Sequence, residues 1–341
     1  MTDRQWTPKQ FFQLVSQSWE LCALQAAVKL DIFTALDEAP GQTSNVTALA
    51  AGLGSNLRAT NMLVTALTSM GLLERDGEEV WLTEDSKRYL SRQSPDYYGF
   101  FIKHSAHILP GWTRLDKAVR SGRSVAETVP EGDEESQREA FLMGMFNVAR
   151  QQADTVASAF DLTGRKNLLD LGGGPGTYAV HFCLHNEGLK ATVFDQPGSE
   201  KFVLNTAGRF GLSERIGFIG GDFLSTPLPS GYDVIWLSQV LHGENPLDAA
   251  RLIKLATEAL APGGLLGIQE FIIDNDLKGP AHSALFSLNM LVQTQGGQSY
   301  TEKELIDMLQ SAGLSKPVRI KADLPPGCGI LTAVKDHSLN N

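Results

Sequence analysis

Acidic residues and alternating glycines form the most informative pattern in this chain of 341 residues. An apolar run contains Asp170 near its end, and Gly172, Gly174 and Gly176 follow at alternate positions. Glycine adopts backbone conformations that other residues avoid, and its missing Cβ lets a ligand approach the main chain closely. The pattern therefore predicts a buried parallel strand, a tight ligand-binding turn and the start of a helix.

A second carboxylate, Asp195, ends the next apolar run, about 25 residues after Asp170. This spacing is typical of an acid that binds the two hydroxyls of a ribose. A carboxylate at Asp170 would repel the pyrophosphate of a dinucleotide, but it can accept hydrogen bonds from an ammonium group. S-adenosyl-L-methionine combines an ammonium, a ribose and no phosphate. We therefore favour this cofactor over a nicotinamide or flavin dinucleotide.

Bulk properties indicate a soluble cytoplasmic enzyme with room for two domains. The formal net charge of −10 disfavours nucleic acid and anionic membrane surfaces as partners, because both attract basic patches. We expect no bilayer-spanning segment and no signal peptide, since the apolar runs are short and the N-terminus lacks the basic-then-apolar order. Three scattered cysteines, Cys22, Cys183 and Cys328, suit a reducing compartment and form no disulfide or zinc pattern.

The first 95 residues predict a winged-helix domain. Apolar residues recur at helical spacing over residues 11–30, and a short helix follows over 31–36. Asn45 or Ser44 can cap a third helix and Asn56 or Ser55 a fourth, which is expected to reach Met70. A hairpin is expected to turn at Asp76-Gly77. Arg58 is the sole basic residue of the fourth helix, so we favour a dimerisation module over DNA recognition.

Residues 96–160 are predicted to be a helical connector that supplies acceptor-pocket helices. Its first part, 95–130, is a mixed connector with aromatic residues, and 131–135 is an acidic, solvated stretch. One helix is predicted over residues 141–160.

Residues 161–341 predict a doubly wound α/β domain, because strand and helix patterns alternate. The expected strands cover residues 167–171, 191–195, 216–220, 233–238, 265–271 and 329–334. The expected helices begin after Gly176 and cover 199–210, 246–260 and 301–312. Thr301 and Glu304 have the spacing of a capping box. Ligands of such sheets bind beyond the carboxyl ends of the strands.

The order of these motifs resembles the cation-independent S-adenosylmethionine-dependent O-methyltransferases, the family of caffeate, acetylserotonin and polyketide enzymes. The resemblance spans nearly the whole chain, from the winged-helix module to the C-terminal strands. Beyond the glycine turn it rests on Phe194–Pro197, Gly221–Phe223, Leu241-His242, Ala261–Glu270 and Gly296-Gly297. It implies a Rossmann-like class I methyltransferase domain, a homodimer and a small-molecule acceptor.

The resemblance also implies roles for individual residues. Asp195 would bind the ribose, Asp222 and Phe223 the adenine, and Gly172 with Gly174 the methionine portion. Ser238 occupies a position where relatives often carry a basic residue, and it completes the cofactor-binding candidates. These candidates are Asp170, Gly172, Gly174, Asp195, Asp222, Phe223 and Ser238.

For catalysis, the resemblance makes His242 the general base and Glu270 the carboxylate that flanks it. The chemistry is coherent, because an imidazole, whose ordinary pKa is about 6.5, can take the proton of an attacking hydroxyl. An adjacent carboxylate orients the ring and stabilises the imidazolium. Met143, Asn147, Asn289 and Met290 are the acceptor-pocket candidates; the stretches that contain the methionines are equally consistent with plain core.

The chain departs from the family in ways that leave alternatives open. Plant relatives have a second glutamate after the Gly-Gly pair, where this chain has Gln298-Ser299, and Glu302 or Glu304 is considered as a substitute. Gly243–Pro246 replaces the acid or amide and the tryptophan that usually follow the histidine. A non-methylating enzyme on the same scaffold therefore remains an alternative, and so does a winged-helix regulator that senses a metabolite.

No metal is expected. His104 with His107, and His181 with His185, can share helix faces, but neither pair has an obvious third ligand nearby in sequence. The main prediction is a metal-independent methyltransferase that acts on a hydroxyl of a small aromatic or polycyclic acceptor, whose identity the sequence leaves open.

Overall fold

The structure is a computed structural model that describes residues 6–127 and 134–337. The chain divides into two compact units, Met1–His107 and Ile108–Asn341. The division falls inside the segment 96–160, which the sequence analysis sets apart as a connector.

The first unit is mainly helical and has a small antiparallel sheet. Its strands have the order β1-β3-β2. Asn45 and Asn56 cap α3 and α4 by accepting hydrogen bonds from the backbone N–H groups of Ala48 and Ala59. The helices are α1 (Pro8–Lys29), α2 (Ile32–Asp37), α3 (Val46–Gly52), α4 (Leu57–Ser69), α5 (Glu84–Leu90) and α6 (Gly99–Trp112), which ends beyond the unit boundary, and the strands are β1 (Thr43–Asn45), β2 (Leu73–Asp76) and β3 (Glu79–Leu82).

This arrangement confirms the helix-turn-helix and hairpin outline predicted for the N-terminal module. The hairpin of β2 and β3 turns at Gly77, whose φ of +58° lies in the left-handed region that favours glycine. Strand β1 was not predicted, since three residues give no periodic signal; it pairs with β3 from Thr43 to Asn45. A core that includes Phe33, Leu67 and Val80 holds the unit together.

The second unit is a three-layer α/β structure around a seven-stranded sheet of order β6-β5-β4-β7-β8-β10-β9. The first five strands are parallel, and β10 is antiparallel to both of its neighbours. Its strands are β4 (Asn167–Leu171), β5 (Lys190–Asp195), β6 (Ile216–Gly220), β7 (Tyr232–Ser238), β8 (Leu260–Phe271), β9 (Leu314–Ile320) and β10 (Cys328–Lys335). Its helices are α7 (Leu115–Ser121), α8 (Glu134–Arg150), α9 (Ala153–Ala159), α10 (Thr177–His185), α11 (Glu200–Arg209), α12 (Pro246–Ala259), α13 (Ala281–Gln293) and α14 (Glu302–Ser311).

Two apolar cores, one containing Trp236 and the other Leu237, pack against opposite faces of the sheet. Strand β4 has β5 on one side and β7 on the other, so the strand order reverses there. Crevices at such reversals, beyond the carboxyl ends of the strands, are where open α/β sheets bind ligands. The predicted doubly wound fold is confirmed.

The local structure departs from the sequence prediction at several points. Within the predicted helical connector, α6 and α7 were not delimited individually. The single helix over 141–160 is two helices, because regular helix stops at Arg150 and resumes at Ala153. Strand β9 and helix α13 were not predicted. Of the acidic stretch 131–135, residues 131–133 lie outside the described ranges. Within these ranges, no helix is both long and apolar enough to cross a membrane.

Candidate active site

The glycine turn follows β4 at the carboxyl edge of the sheet. Gly172, Gly174 and Gly176 have φ values of +72°, +54° and +76°, so all three need glycine. A Cβ on Gly172 would lie 2.7 Å from Cγ2 of Val240, whereas one on Gly174 would meet only Leu142, at 3.7 Å. The turn is therefore packed closely on the loop after β7 and more open at Gly174.

Asp170 is completely buried beneath this turn. Its Oδ2 accepts a hydrogen bond from the N–H of Ala179 at 3.2 Å, and a Cβ on Gly173 would lie 2.5 Å from its Cγ. Burial raises the pKa of Asp170 to about 7, and the negative charge of Asp195 adds to the rise. Its Oδ1 has no hydrogen-bond partner among residues 6–127 and 134–337. The carboxyl thus contacts the turn from below.

Asp195, at the end of β5, is tied to the same turn. Its Oδ2 accepts from the N–H of Gly174 at 2.8 Å, and its Oδ1 accepts from the N–H of Gln196 at 2.7 Å and from Oγ of Ser199 at 2.8 Å. These bonds fix the half-buried carboxylate beside the glycines. A carboxylate has about four lone-pair positions, so the second one on Oδ2 is left to accept a ribose hydroxyl.

Asp222 and Phe223 follow β6, and the N–H of Gly221 donates to the backbone oxygen of Asp195 at 2.9 Å. The exposed Asp222 carboxylate accepts from the N–H of Leu224 at 3.0 Å and from Oγ of Ser225 at 2.8 Å. Phe223 is half-buried against the core that contains Leu237. A carboxylate and a ring beside Asp195 suit an adenine, which needs a hydrogen-bond acceptor and a stacking surface.

Ser238, at the end of β7, belongs to a buried polar cluster that the sequence analysis missed. Its Oγ donates to Oε1 of Gln269 at 3.1 Å, and Nε2 of Gln269 donates to Oε1 of Gln152 at 3.1 Å and to Sγ of Cys328 at 3.3 Å. Gln269 is fully buried in β8, next to the buried Glu270. A glutamine that ends the apolar run Leu265–Ile268 was the available signal, because buried amides need partners.

His242 and Glu270 form the second part of the site. Nδ1 of His242 lies 2.7 Å from Oε2 of Glu270, and the backbone N–H of His242 donates to Oε1 at 3.3 Å. The His242 side chain is 12 % exposed and that of Glu270 is 2 % exposed. Because a carboxylate only accepts, Nδ1 carries the hydrogen and Nε2 keeps a lone pair. The pair is oriented as a proton acceptor and its supporting carboxylate.

Aromatic rings surround this pair. The ring of Phe286, on α13, meets the imidazole edge to face with centroids 4.7 Å apart, and Phe271 lies 4.5 Å from Phe286. A Cβ on Gly297 would lie 2.3 Å from the backbone oxygen of His242, so the Gly-Gly loop packs directly on the histidine. The sequence analysis did not single out Phe286, because helix α13 was not predicted.

The acceptor-pocket candidates lie on two helices. Met143 and Asn147 are on α8, and Asn289 and Met290 are on α13. Asn147 and Met290 are buried. Nε1 of Trp112 donates to Oδ1 of Asn289 at 2.8 Å. That these four residues line one pocket stays a prediction.

Neither glutamate considered as a substitute for the missing second carboxylate is available. Glu304 accepts from both the N–H and Oγ1 of Thr301, which confirms the capping box, and Glu302 pairs with Arg319 at 2.6 Å. The N–H of Ser299 donates to Oγ of Ser287 at 3.1 Å. Oγ of Ser299 is buried and lacks a hydrogen-bond partner in the described part of the chain.

The two histidine pairs do not build a metal centre. His185 and His181 lie 2.8 Å and 3.9 Å from Oδ1 of Asp154, and the hydrogen bond with His185 holds the pKa of Asp154 below its usual value. Burial lowers the pKa of His104 to about 4. Across residues 6–127 and 134–337, no group of three or more His, Cys, Asp or Glu side chains could hold a metal ion.

Comparisons with known proteins decide the family. Residues 112–315 match the model of the O-methyltransferase domain, and residues 12–92 match the O-methyltransferase dimerisation domain. The chain belongs to the S-adenosylmethionine-dependent O-methyltransferase family. This confirms the resemblance, the enzyme class and the cofactor, and the N-terminal match is to a dimerisation module.

Individual relatives cover nearly the whole chain. The chain is 33 % identical to a 3-hydroxy-5-methyl-1-naphthoate 3-O-methyltransferase of Streptomyces sahachiroi over 96 % of this chain and 95 % of the relative. It is 35 % identical to the acetylserotonin O-methyltransferase of Macaca mulatta, over 85 % and 87 %. Its fold is similar to that of human N-acetylserotonin methyltransferase in complex with S-adenosylmethionine. The TM-score is 0.84 and the identity 29 %, with 98 % and 100 % of the two chains covered.

Proposed function

We propose that this O-methyltransferase methylates a hydroxyl of a small aromatic or polycyclic acceptor, with His242 as general base. The observation that carries the proposal is the 2.7 Å contact between Nδ1 of His242 and Oε2 of Glu270 at the carboxyl edge of the sheet. Glu270 fixes the ring and its tautomer, and Nε2 then takes the proton of the acceptor hydroxyl. General-base assistance of this kind contributes about 10²–10⁴-fold to rate.

We assign cofactor binding to the glycine turn and its neighbours. S-adenosylmethionine supplies an electrophilic methyl group on a sulfonium. The turn that contains Gly172 and Gly174 offers its backbone to the methionine portion, most openly at Gly174, and Asp195, held by three hydrogen bonds, accepts from the ribose. Asp222 and Phe223 take the adenine, while Ser238 lies at the end of the adjacent strand β7.

The acceptor class follows from the surroundings of the base. Phe286 and Phe271 present ring faces and edges beside His242, and aromatic ligands pack well on such rings. The Streptomyces sahachiroi relative is named for a hydroxylated naphthoate. We assign Met143, Asn147, Asn289 and Met290 to the pocket of such an acceptor.

Two further proposals concern the oligomeric state and the cellular compartment. We infer a homodimer built on the N-terminal unit, which matches a dimerisation domain. We also infer a cytoplasmic enzyme, since Cys22, Cys183 and Cys328 are all free thiols.

The test is methyl transfer by the wild type and by His242→Ala, with labelled cofactor and a set of phenolic acceptors. We expect kcat to fall about 10²-fold or more in His242→Ala while the cofactor Kd stays nearly unchanged. His185→Ala is the matched control, because that histidine pairs with Asp154 on the surface. An undiminished kcat in His242→Ala would refute the base assignment.

Two further outcomes separate the alternatives. Conversion of an acceptor without the gain of a methyl group would favour the non-methylating enzyme. We expect activity to persist in excess chelator, because the proposed chemistry uses a histidine base and no Mg²⁺. Activity that is lost in chelator and restored by Mg²⁺ would contradict metal independence.

A further inference from the structure

Three side chains near the glycine turn have buried polar atoms. Asp170 and Trp236 are paired neighbours on β4 and β7, and Thr177 begins α10. All three side chains are almost completely buried. Oδ1 of Asp170, Oγ1 of Thr177 and Nε1 of Trp236 find no hydrogen-bond partner within the described ranges. Buried polar groups are normally satisfied, so an ionised Asp170 here would be poorly supported.

The charged and titratable groups around Asp170 come from two elements. Asp195 on β5 opposes its ionisation, and Tyr178 and Cys183 on α10 are the other titratable groups that interact with it. Burial raises the pKa of both Tyr178 and Cys183, so both are neutral near neutral pH. The N–H of Ala179, in the first turn of α10, is the one stabilising contact of the carboxyl among these groups. Asp170 is therefore balanced between its two protonation states near neutral pH.

The two forms of the cofactor differ by one charge. S-adenosylmethionine has a sulfonium, an ammonium and a carboxylate, whereas the product S-adenosylhomocysteine lacks the sulfonium and is neutral overall. A positive charge near a carboxyl favours its ionised form, and loss of the charge removes that preference.

We propose that Asp170 is a proton-linked positioning residue: it releases its proton to solvent when S-adenosylmethionine binds at the glycine turn and keeps it when S-adenosylhomocysteine binds. Charge is conserved, because the carboxylate that forms offsets the sulfonium and the buffer takes up the released proton. The proposal rests on the assignment of the cofactor to the glycine turn, and it is independent of the acceptor and of the base.

The consequence is a pH-dependent preference for cofactor over product. At low pH Asp170 must lose a proton before it can offset the sulfonium, so the affinity for S-adenosylmethionine is reduced there. At high pH Asp170 is already ionised, and that cost disappears. The affinity for S-adenosylhomocysteine lacks this dependence.

The experiment is titration calorimetry of both ligands from pH 6 to pH 8.5, in buffers of different ionisation enthalpy. We expect wild-type protein to release more protons with S-adenosylmethionine than with S-adenosylhomocysteine, by roughly half a proton per site between pH 6 and pH 7. We expect the ratio of the two affinities to rise up to about tenfold across the range, as one nearby opposite charge implies. The α-amino group is common to both ligands and cancels in the difference.

Asp170→Asn keeps the size of the side chain and cannot ionise, so it should abolish both the extra proton release and the rise in the ratio. Asp233→Asn is the matched control: that carboxylate lies at the opposite end of the sheet, where it accepts from the N–H groups of Lys166 and Asn167. Equal proton release with both ligands in the wild type would overturn the proposal even if Asp170→Asn fails to fold. Extra release that persists in Asp170→Asn would also overturn it. Failure of S-adenosylmethionine to bind at all would instead refute the cofactor site.

Discussion

At the scale of single residues, the site depends on how each carboxylate is supported. Glu270 is almost fully buried, but both of its oxygens are used: one faces Nδ1 of His242 and the other accepts the backbone N–H of the same residue. Asp195 is held by three donors. Asp170 has one donor and complete burial. Hydrogen bonds therefore hold Glu270 and Asp195 in place, whereas burial raises the pKa of Asp170.

Glu270→Gln tests the bidentate support of His242. Glutamine has one accepting oxygen and one donating nitrogen, so it cannot accept from both the ring Nδ1–H and the backbone N–H. We expect kcat to fall about 10-fold to 10²-fold, with less effect than His242→Ala, and the cofactor Kd to change little. Steady-state kinetics and calorimetry on the same preparation check this. A wild-type kcat in Glu270→Gln would show that the carboxylate charge is dispensable.

Asp170 also makes folding stability depend on pH. Its pKa is raised from 3.8 to about 7, so the folded state binds the proton more tightly than the unfolded state. The stabilisation is complete below about pH 4 and is lost as pH rises through about 7. Asp170→Asn removes this term, and its stability relative to wild type should improve by roughly 2–3 kcal/mol between pH 5 and pH 8. Urea unfolding at both pH values measures this change, and a pH-independent difference would contradict it.

At the scale of elements, much of the fold was predictable where one local signal dominated. The buried parallel strands are apolar runs, and β4 and β6 have the predicted bounds. The caps Asn45, Asn56 and Thr301 are likewise read from adjacent residues. The positions of His242 and Glu270 follow from the strand order together with the family resemblance; the 2.7 Å contact required the structure.

The elements that were missed lack such local signals. Strand β9 is polar and contains Pro317 and a residue of positive φ, Lys316, because it lies at the edge of the sheet, where ladder bonds on one side are not needed. Helix α6 contains Pro110, which weakens a helical pattern. The break between α8 and α9 falls at Gln151-Gln152, with neither glycine nor proline to mark it. Phe286 entered the site through α13, which is why sequence analysis missed it.

Gly297→Ala tests whether the Gly-Gly loop positions the base. The new Cβ would lie 2.3 Å from the backbone oxygen of His242, a distance that forces one of the two loops to shift. Because small displacements of catalytic groups are costly, we expect kcat to fall about tenfold or more with little change in cofactor Kd. Gly188→Ala is the matched control, since its Cβ would meet nothing within 4 Å. Equal kcat values for the two variants would argue against a positioning role.

At the scale of the whole molecule, the two units have separate tasks and separate cores. The glycine turn and the His242–Glu270 pair lie in Ile108–Asn341. The carboxylates of Asp170, Asp195 and Asp222 lie in the same unit. The unit Met1–His107 has its own core around Phe33 and Val80, and the first half of α1 contributes little to it. Large apolar side chains are exposed along residues 11–21 of the helix: Phe11, Phe12, Leu14, Val15, Trp19 and Leu21.

This exposed surface predicts a homodimer mediated by α1. Phe12, Val15 and Trp19 are 67 %, 65 % and 66 % exposed, and monomeric proteins rarely leave so many large apolar side chains together in water. A second copy can cover them by a symmetric contact, in which the same patch meets itself. We expect light scattering to give twice the chain mass at micromolar concentration, and the double variant Val15→Glu, Trp19→Glu to give a monomer with retained secondary structure.

Glu20→Lys is the control for the dimer, because it changes charge on the same helix without adding a polar group to the apolar side chains. It should remain dimeric. A monomeric wild type would exclude the assembly, and a dimer that survives in the double variant would move the interface away from α1. Since the proposed base and cofactor groups all lie in the second unit, cofactor binding by the monomeric variant measures whether that unit needs its partner copy. We expect the Kd to stay within about threefold of wild type, as for substitutions remote from a site.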